Sequence, residues 1–222
     1  TPLYSSAASD VYKRQLYGLA YSIGMLVQLF ISGMNSALTP WMYSKIKKGD
    51  IRSMRKVLQL LSIVVVGIAV ALMLISPELV LIFGSPKYRE AVYVIPPVAA
   101  SVFFIFIYNI LSMPQFYYEK TQFLMAASMA AAGANVVLNF IFIRLFGYIA
   151  AGYTTLACYM LYSVGHYIVS KRILVNEGIQ ENLMNPGFLL ACSVFLIGAS
   201  IICNLIFPYR ILRYAILLAS AG

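Results

Sequence analysis

Side chains that can hydrogen-bond recur along this sequence at helical intervals, set into stretches that are otherwise apolar. Gln28, Ser32, Asn35, Ser36 and Thr39 fall at offsets of 0, 4, 7, 8 and 11, which places them on one face of a helix. Ser101, Tyr108, Ser112 and Gln115 follow at 0, 7, 11 and 14, with Asn109 beside them. Ser128, Asn135 and Asn139 lie at 0, 7 and 11, and Thr155, Tyr159, Tyr162, Ser163, His166 and Ser170 at 0, 4, 7, 8, 11 and 15. Two kinds of chemistry suit such stripes. Ser, Thr and Asn bond across helix interfaces in lipid for about 1 kcal/mol or less, and the stripes would then only hold helices together. Alternatively, several stripes share one polar cavity inside the membrane, where the hydroxyls of a guest exchange water for side-chain partners. Tyr159, Tyr162 and His166 favour the second reading, because they carry ring faces as well as donors and acceptors.

The elements that must position these side chains are membrane helices. Of 222 residues, 62% are apolar and 10% charged, against roughly 45–50% and about 25% in soluble domains. A mean hydropathy of +0.85 leaves too little polar surface to clothe a soluble domain. At about 20 residues per spanning helix, seven spans would take up roughly 140 residues. Apolar runs separated by Pro, Gly and charge predict helices over 16–43, 52–77, 90–115, 121–145, 149–171 and 186–206, with a truncated seventh from 209. The expected fold class is all-α: a polytopic transmembrane helical bundle of six complete spans plus that truncated one. Asp50 is placed to cap the second helix. Ser76-Pro77, Ser85-Pro86, Asn185-Pro186 and Phe207-Pro208 predict turns, and Pro96-Pro97 a kink or late start in the third helix. Residues 1–15 are polar and read as an unassigned, non-native segment outside the fold. Residues 16–171 then form the main body of helices, and 172–222 the last two.

The net charge is +9, from 16 Lys and Arg against 7 Asp and Glu. In a soluble chain this would point to nucleic acid. Here the basic residues lie in loops, where membrane topology accounts for them, and no nucleic-acid partner is expected. Alternate loops carry Lys45, Lys47, Lys48, Arg52, Arg55, Lys56, Lys120, Lys171 and Arg172, against Lys87, Arg89, Arg144, Arg210 and Arg213 on the other side. The first loop is therefore expected in the cytoplasm, and the segment from Pro77 to Glu90 outside. The second span, nearly free of polar residues apart from Ser62, is expected to face lipid. No Asp or Glu lies deep in any span, which argues against a relay of buried carboxylates. Arg144 either snorkels to the interface or meets an anionic group in a cavity. The chain has one histidine and no G-x-S-x-G, H-E-x-x-H, P-loop or dinucleotide motif, so enzyme chemistry has little to stand on. Cys158, Cys192 and Cys203 lie in apolar runs without metal-ligand spacing, and no disulfide, metal or cofactor is expected.

Three stretches carry a family resemblance. Leu81 to Ala91 (LIFGSPKYREA), Asn135 to Asn139 (NVVLN) leading into Phe146 to Thr155 (FGYIAAGYTT), and Ala37 to Pro40 (ALTP) before a basic loop resemble the polysaccharide transporter (Wzx-type oligosaccharide flippase) family. That family lies within the multidrug/oligosaccharidyl-lipid/polysaccharide exporter superfamily. The sequence departs from the pattern at Arg144, where Ile-Pro is usual, and at Ala150, where a second Gly is common. The resemblance implies the second lobe of a two-lobe transporter in the bacterial inner membrane. Its cargo would be an undecaprenyl-pyrophosphate-linked oligosaccharide, and its partners the lipid bilayer and other polysaccharide-assembly proteins. On that reading Gln28, Asn35, Asn109, Asn135 and Asn139 are a hydrogen-bonding wall, Tyr159, Tyr162 and His166 meet sugar rings, and Arg144 meets phosphate. Alternating access would come from one lobe rocking against the other. A lipid II flippase and a multidrug/cation antiporter of the same superfamily remain alternatives, the latter with an embedded carboxylate elsewhere in the protein. From another class, a polysaccharide polymerase would be expected to carry a long charged outward loop, which this sequence lacks.

Overall fold

In the computed structural model, which describes residues 2–84 and 86–209, Pro77, expected to mark a turn, lies inside a helix, as does Pro40. Helix α1 (Pro2–Lys47) runs through Pro40, and α2 (Ile51–Phe83) runs through Pro77. Proline at 77 removes the N–H that would bond the Met73 carbonyl. The Ser76 hydroxyl donates to that same carbonyl at 2.8 Å, so the helix continues for another turn and a half and no turn forms at Ser76-Pro77. After a short 3-10 helix (Pro86–Tyr93) come α3 (Ile95–Tyr117), α4 (Gln122–Phe146), α5 (Ala150–Asn176) and α6 (Pro186–Ile206). There is no strand among the described residues. The expected seventh helix lies outside them.

Other boundaries follow their sequence signals. Asp50 accepts from the Ser53 backbone N–H at 3.3 Å and caps α2 after Gly49, whose φ of +67° suits glycine. Asn185 caps α6 through the Gly187 N–H at 2.9 Å, with Pro186 in the first turn. Pro96 and Pro97 likewise sit in the first turn of α3, so that helix starts late.

Among the described residues, five helices are long and apolar enough to cross a membrane: α2, α3, α4, α6, and α1 from Val11 onward. Six had been expected. The exception is α5, whose polar stripe dilutes its apolar content, although it links the same two ends of the bundle as its neighbours. At one end, Lys120 between α3 and α4 pairs with Glu177 after α5 at 2.7 Å, and Arg55 of α2 donates to the Asn182 carbonyl at 2.7 Å. At the other, Tyr88 of the 3-10 helix donates to Gln15 of α1 at 2.9 Å, and Tyr93 packs edge-on against Phe207.

The bundle is organised around α3, which packs on α1, α2, α5 and α6. Phe103 and Phe106 at its centre are fully buried. Two glycines let neighbours approach it. A Cβ at Gly24 of α1 would stand 2.5 Å from Val98, and one at Gly152 of α5 would stand 2.8 Å from Pro97. The second helix covers α3 with Leu58, Val65, Ala69 and Leu72 while exposing Leu60, Ile63 and Val64, so only one of its faces is left for lipid. Helix α4 packs principally on α5 and buries no residue fully.

Candidate functional site

The polar stripe of α5 divides between two tasks. Part of it is glue. Ser163 donates to the Phe104 carbonyl of α3 at 2.9 Å, the hydroxyls of Thr155 and of Tyr17 on α1 lie 3.2 Å apart, and Thr154 donates to Asn139 of α4. Tyr159 and Tyr162, on the same face, stay half-exposed because α4 stands off from α3. Between them lies an inner cavity of about 530 Å³.

Its walls come from four helices: Tyr17 and Tyr21 of α1, Tyr108 of α3, Ser128 and Asn135 of α4, and Thr155, Cys158, Tyr159 and Tyr162 of α5, with alanines and a valine of α4 closing the surface. The rings support one another. Tyr108 stacks parallel to Tyr159 at 6.2 Å and meets Tyr162 edge-on at 4.7 Å, and Tyr17 stacks on Tyr21 at 5.9 Å. The hydroxyls of Tyr162 and Ser128 lie 2.7 Å apart. No residue of the described lining carries a charge.

A second cavity, of about 590 Å³, opens beside the first toward the end marked by the α4–α5 turn. Tyr17 lines both. Arg144, Asn139 and Tyr148 line the outer one, together with Lys13 and Arg14 from the segment set apart above. Asn139 donates to Asn135 at 2.9 Å, which ties the polar walls of the two cavities together. The Arg144 guanidinium lies over the Phe140 ring at 4.0 Å, a cation–π contact that holds its head at the cavity edge. Tyr148 reaches across to Glu90 at 3.4 Å. Burial, and then the Glu90 carboxylate beside it, push the Tyr148 phenol up to about 12, so it stays a neutral hydrogen-bonding group.

Five of the expected wall residues thus line the two joined cavities: Asn135, Tyr159, Tyr162, Asn139 and Arg144. Four lie elsewhere. Asn109 turns back to donate to the Ile105 carbonyl of its own helix at 2.9 Å. Asn35 is buried within the bundle and Gln28 half-buried, both on α1 and in the lining of neither cavity. His166 is fully buried behind the Tyr108 and Tyr162 rings instead of facing the space. Sequence reasoning missed Tyr17 and Tyr21, although their spacing of four was a signal of the same kind.

The structure is thus a polytopic helical membrane protein with an uncharged cavity, walled by tyrosine rings and a few amide and hydroxyl groups, at one side of its bundle. Residues 16–141, more than half of the chain, match the MatE family, and the chain belongs to it. Members of that family are membrane transporters of the multidrug/oligosaccharidyl-lipid/polysaccharide exporter superfamily, not enzymes. No curated protein and no solved structure gave a significant match.

Proposed function

We propose that the chain is part of a flippase that moves a polyprenyl-pyrophosphate-linked oligosaccharide across the bacterial inner membrane, with the inner cavity receiving sugar and the outer one phosphate. The observation that carries this reading is the pairing of an uncharged cavity of tyrosine rings, Asn135, Ser128 and Thr155 with a neighbouring cavity edged by Arg144. A sugar offers hydroxyls at its rim and apolar patches on its faces. The amide and hydroxyls of the wall suit the first, and the rings suit the second. Phosphate prefers the planar fork of a guanidinium. The polyprenyl tail would remain in hydrocarbon.

The rings alone would also suit an organic cation. For that guest, however, a cavity in the membrane is expected to supply a carboxylate, and the described lining has none. Binding to the complete protein in nanodiscs separates the two. A lipid-linked oligosaccharide is expected to bind, and Tyr159→Leu with Tyr162→Leu to weaken it at least about tenfold, or 1.4 kcal/mol. Arg144→Gln is expected to weaken a pyrophosphate-linked sugar but not the same sugar on a neutral lipid. Competition by a quaternary ammonium with no binding of the lipid-linked sugar would replace this reading with that of a cation exporter.

A further inference from the structure

Helices α5 and α6 meet near one end of the bundle, where Asn204 donates to the Tyr153 hydroxyl at 3.0 Å. Toward the end that carries the basic loops a groove of about 270 Å³ separates them, with Phe103, Phe104 and Ile107 of α3 as its floor. Its walls run from Met160 to Tyr167 on α5 and from Pro186 to Ser193 on α6, two turns of each helix and about 10 Å. No residue of the described lining is charged. Its two serines are already engaged, Ser163 donating to the Phe104 carbonyl at 2.9 Å and Ser193 to the Leu189 carbonyl at 2.7 Å. Water would find too few partners there, and an unfilled space would forfeit contacts along its walls, so the matching occupant is hydrocarbon. Val164 and Leu190, both exposed, leave the groove open to the bilayer.

The mouth of the groove decides which hydrocarbon enters. Tyr167, the last groove residue of α5, has a hydroxyl with no hydrogen-bond partner among the described residues. Lys171 follows four residues on, on the same side of the helix and about 6 Å further along its axis. It is exposed and has no ion-pair partner among the described residues, whereas Lys45, Arg55 and Lys120 at this end are paired with Asp50, Glu181 and Glu177. The charge of Arg55 also acts on the Tyr167 hydroxyl. The mouth is thus positive and offers an O–H donor. A headgroup of net negative charge fits it, and a zwitterionic one, which brings its own cation, fits less well. The cargo's tail does not lead here, because Cys158, Tyr159 and Tyr162 line the inner cavity on the other side of α5, and the packed pair of α3 and α5 stands between the two spaces. We propose that this groove holds an acyl chain of an anionic membrane phospholipid whose phosphate sits against Lys171 and the Tyr167 hydroxyl, a bound lipid distinct from the cargo.

Native mass spectrometry of the complete protein, in micelles carrying dioleoyl phosphatidylglycerol or dioleoyl phosphatidylcholine, tests this. Lys171→Gln is expected to lower the occupancy of one retained phosphatidylglycerol about fivefold, or 1 kcal/mol, and to leave phosphatidylcholine unchanged. Leu190→Trp, which fills the groove from its rim, should remove the same lipid. Leu205→Trp, on α6 but outside the groove, should retain it. Both leucines are exposed, so neither substitution burdens the core. Combining Lys171→Gln with Leu190→Trp should cost no second lipid. Phosphatidylglycerol retention that either substitution leaves unchanged, or two separate lipids lost in the double variant, overturns the proposal. Displacement of the lipid by equimolar undecaprenyl phosphate also overturns it and gives the groove to the tail of the cargo. The probes carry no sugar, so a protein that binds no lipid-linked oligosaccharide yet retains this phospholipid overturns only the assignment of the cargo.

Discussion

Helices α3 and α4 are adjacent in sequence, 23 and 25 residues long, and both apolar enough to cross a membrane, yet α3 is buried almost throughout and α4 has no buried residue. Composition accounts for the difference. Phe103, Ile105, Phe106 and Ile110 give α3 large side chains all round, and such a helix can fill the middle of a bundle. The inward side of α4 offers Ala127, Ala131 and Asn135, which pack shallowly against α5 and leave room for the cavity. In lipid no hydrophobic force drives helices together, so contact depends on packing and hydrogen bonds. One helix is therefore a hub. The other, packed principally on α5, is a flap at the edge of the bundle.

The largest effect expected from this contrast is at the hub. Phe103→Ala should destabilise the chain by about 3 kcal/mol, the low end of the range for large-to-small changes, because lipid and not water fills part of the reference state. Val137→Ala on the exposed side of α4 should fall within about 0.5 kcal/mol of the parent. Chemical unfolding in mixed micelles measures both, and equal losses would abolish the distinction.

A smaller change separates the same regions through glycine. At Gly152 an added Cβ would meet the Pro97 ring at 2.8 Å and the Val94 carbonyl at 3.2 Å. Neither is the free end of a flexible side chain, so Gly152→Ala is expected to cost about 1–3 kcal/mol. At Gly133 of α4 nothing lies within 4 Å, and Gly133→Ala should stabilise by up to about 1 kcal/mol through helix propensity. Opposite signs are the expected outcome of a thermal melt.

The hydrogen bond from Thr154 to Asn139 is one of the polar contacts that hold the flap. Thr154→Val should cost only about 0.6 kcal/mol, typical of such bonds in lipid. It should nonetheless speed amide hydrogen exchange in α4 selectively. Exchange that rises equally in α3 would mean that the two helices open together.

Much of this contrast could not be read from periodicity. A stripe fixes the face of its own helix, but not which other stripe it meets. The stripes of α4 and α5 face each other, whereas Asn35 of α1 lines neither cavity. The apolar runs of the sequence placed α5 among the six spans, whereas the described helix falls short of the apolar content of the other five, since hydropathy cannot distinguish a helix rich in polar groups because it lines a cavity from one that lies outside lipid. Pro77 looked like a boundary because its effect on Met73 is cancelled only by the rotamer of Ser76. The cap at Asp50 was legible, because it acts on an N–H group three residues away, whereas Asn185 read only as part of a turn and proves to cap α6 through the Gly187 N–H.

The smallest effects, those of pH, bear on the hub and the flap at opposite limits. Lys45, 2.6 Å from Asp50, holds that carboxyl below its usual range at the α1–α2 turn, with the Ser53 N–H adding to the effect. The native chain then binds fewer protons than the unfolded one near pH 4. That increment of stability is whole above the unfolded value and is lost as pH falls through the folded one. Tyr148, at the α4–α5 turn, keeps its proton to about 12, while an unfolded tyrosine releases it near 10. Stability should therefore fall as pH rises between those values, because only the unfolded chain gains from ionising. Asp50→Asn should flatten the acid limb of the unfolding profile and Tyr148→Phe part of the alkaline limb. In Tyr148→Phe, exchange in α4 should also lose some of its alkaline acceleration relative to the parent. An alkaline limb unchanged by that substitution would mean that the Tyr148 contact with Glu90 does not tie the flap to the end of the hub.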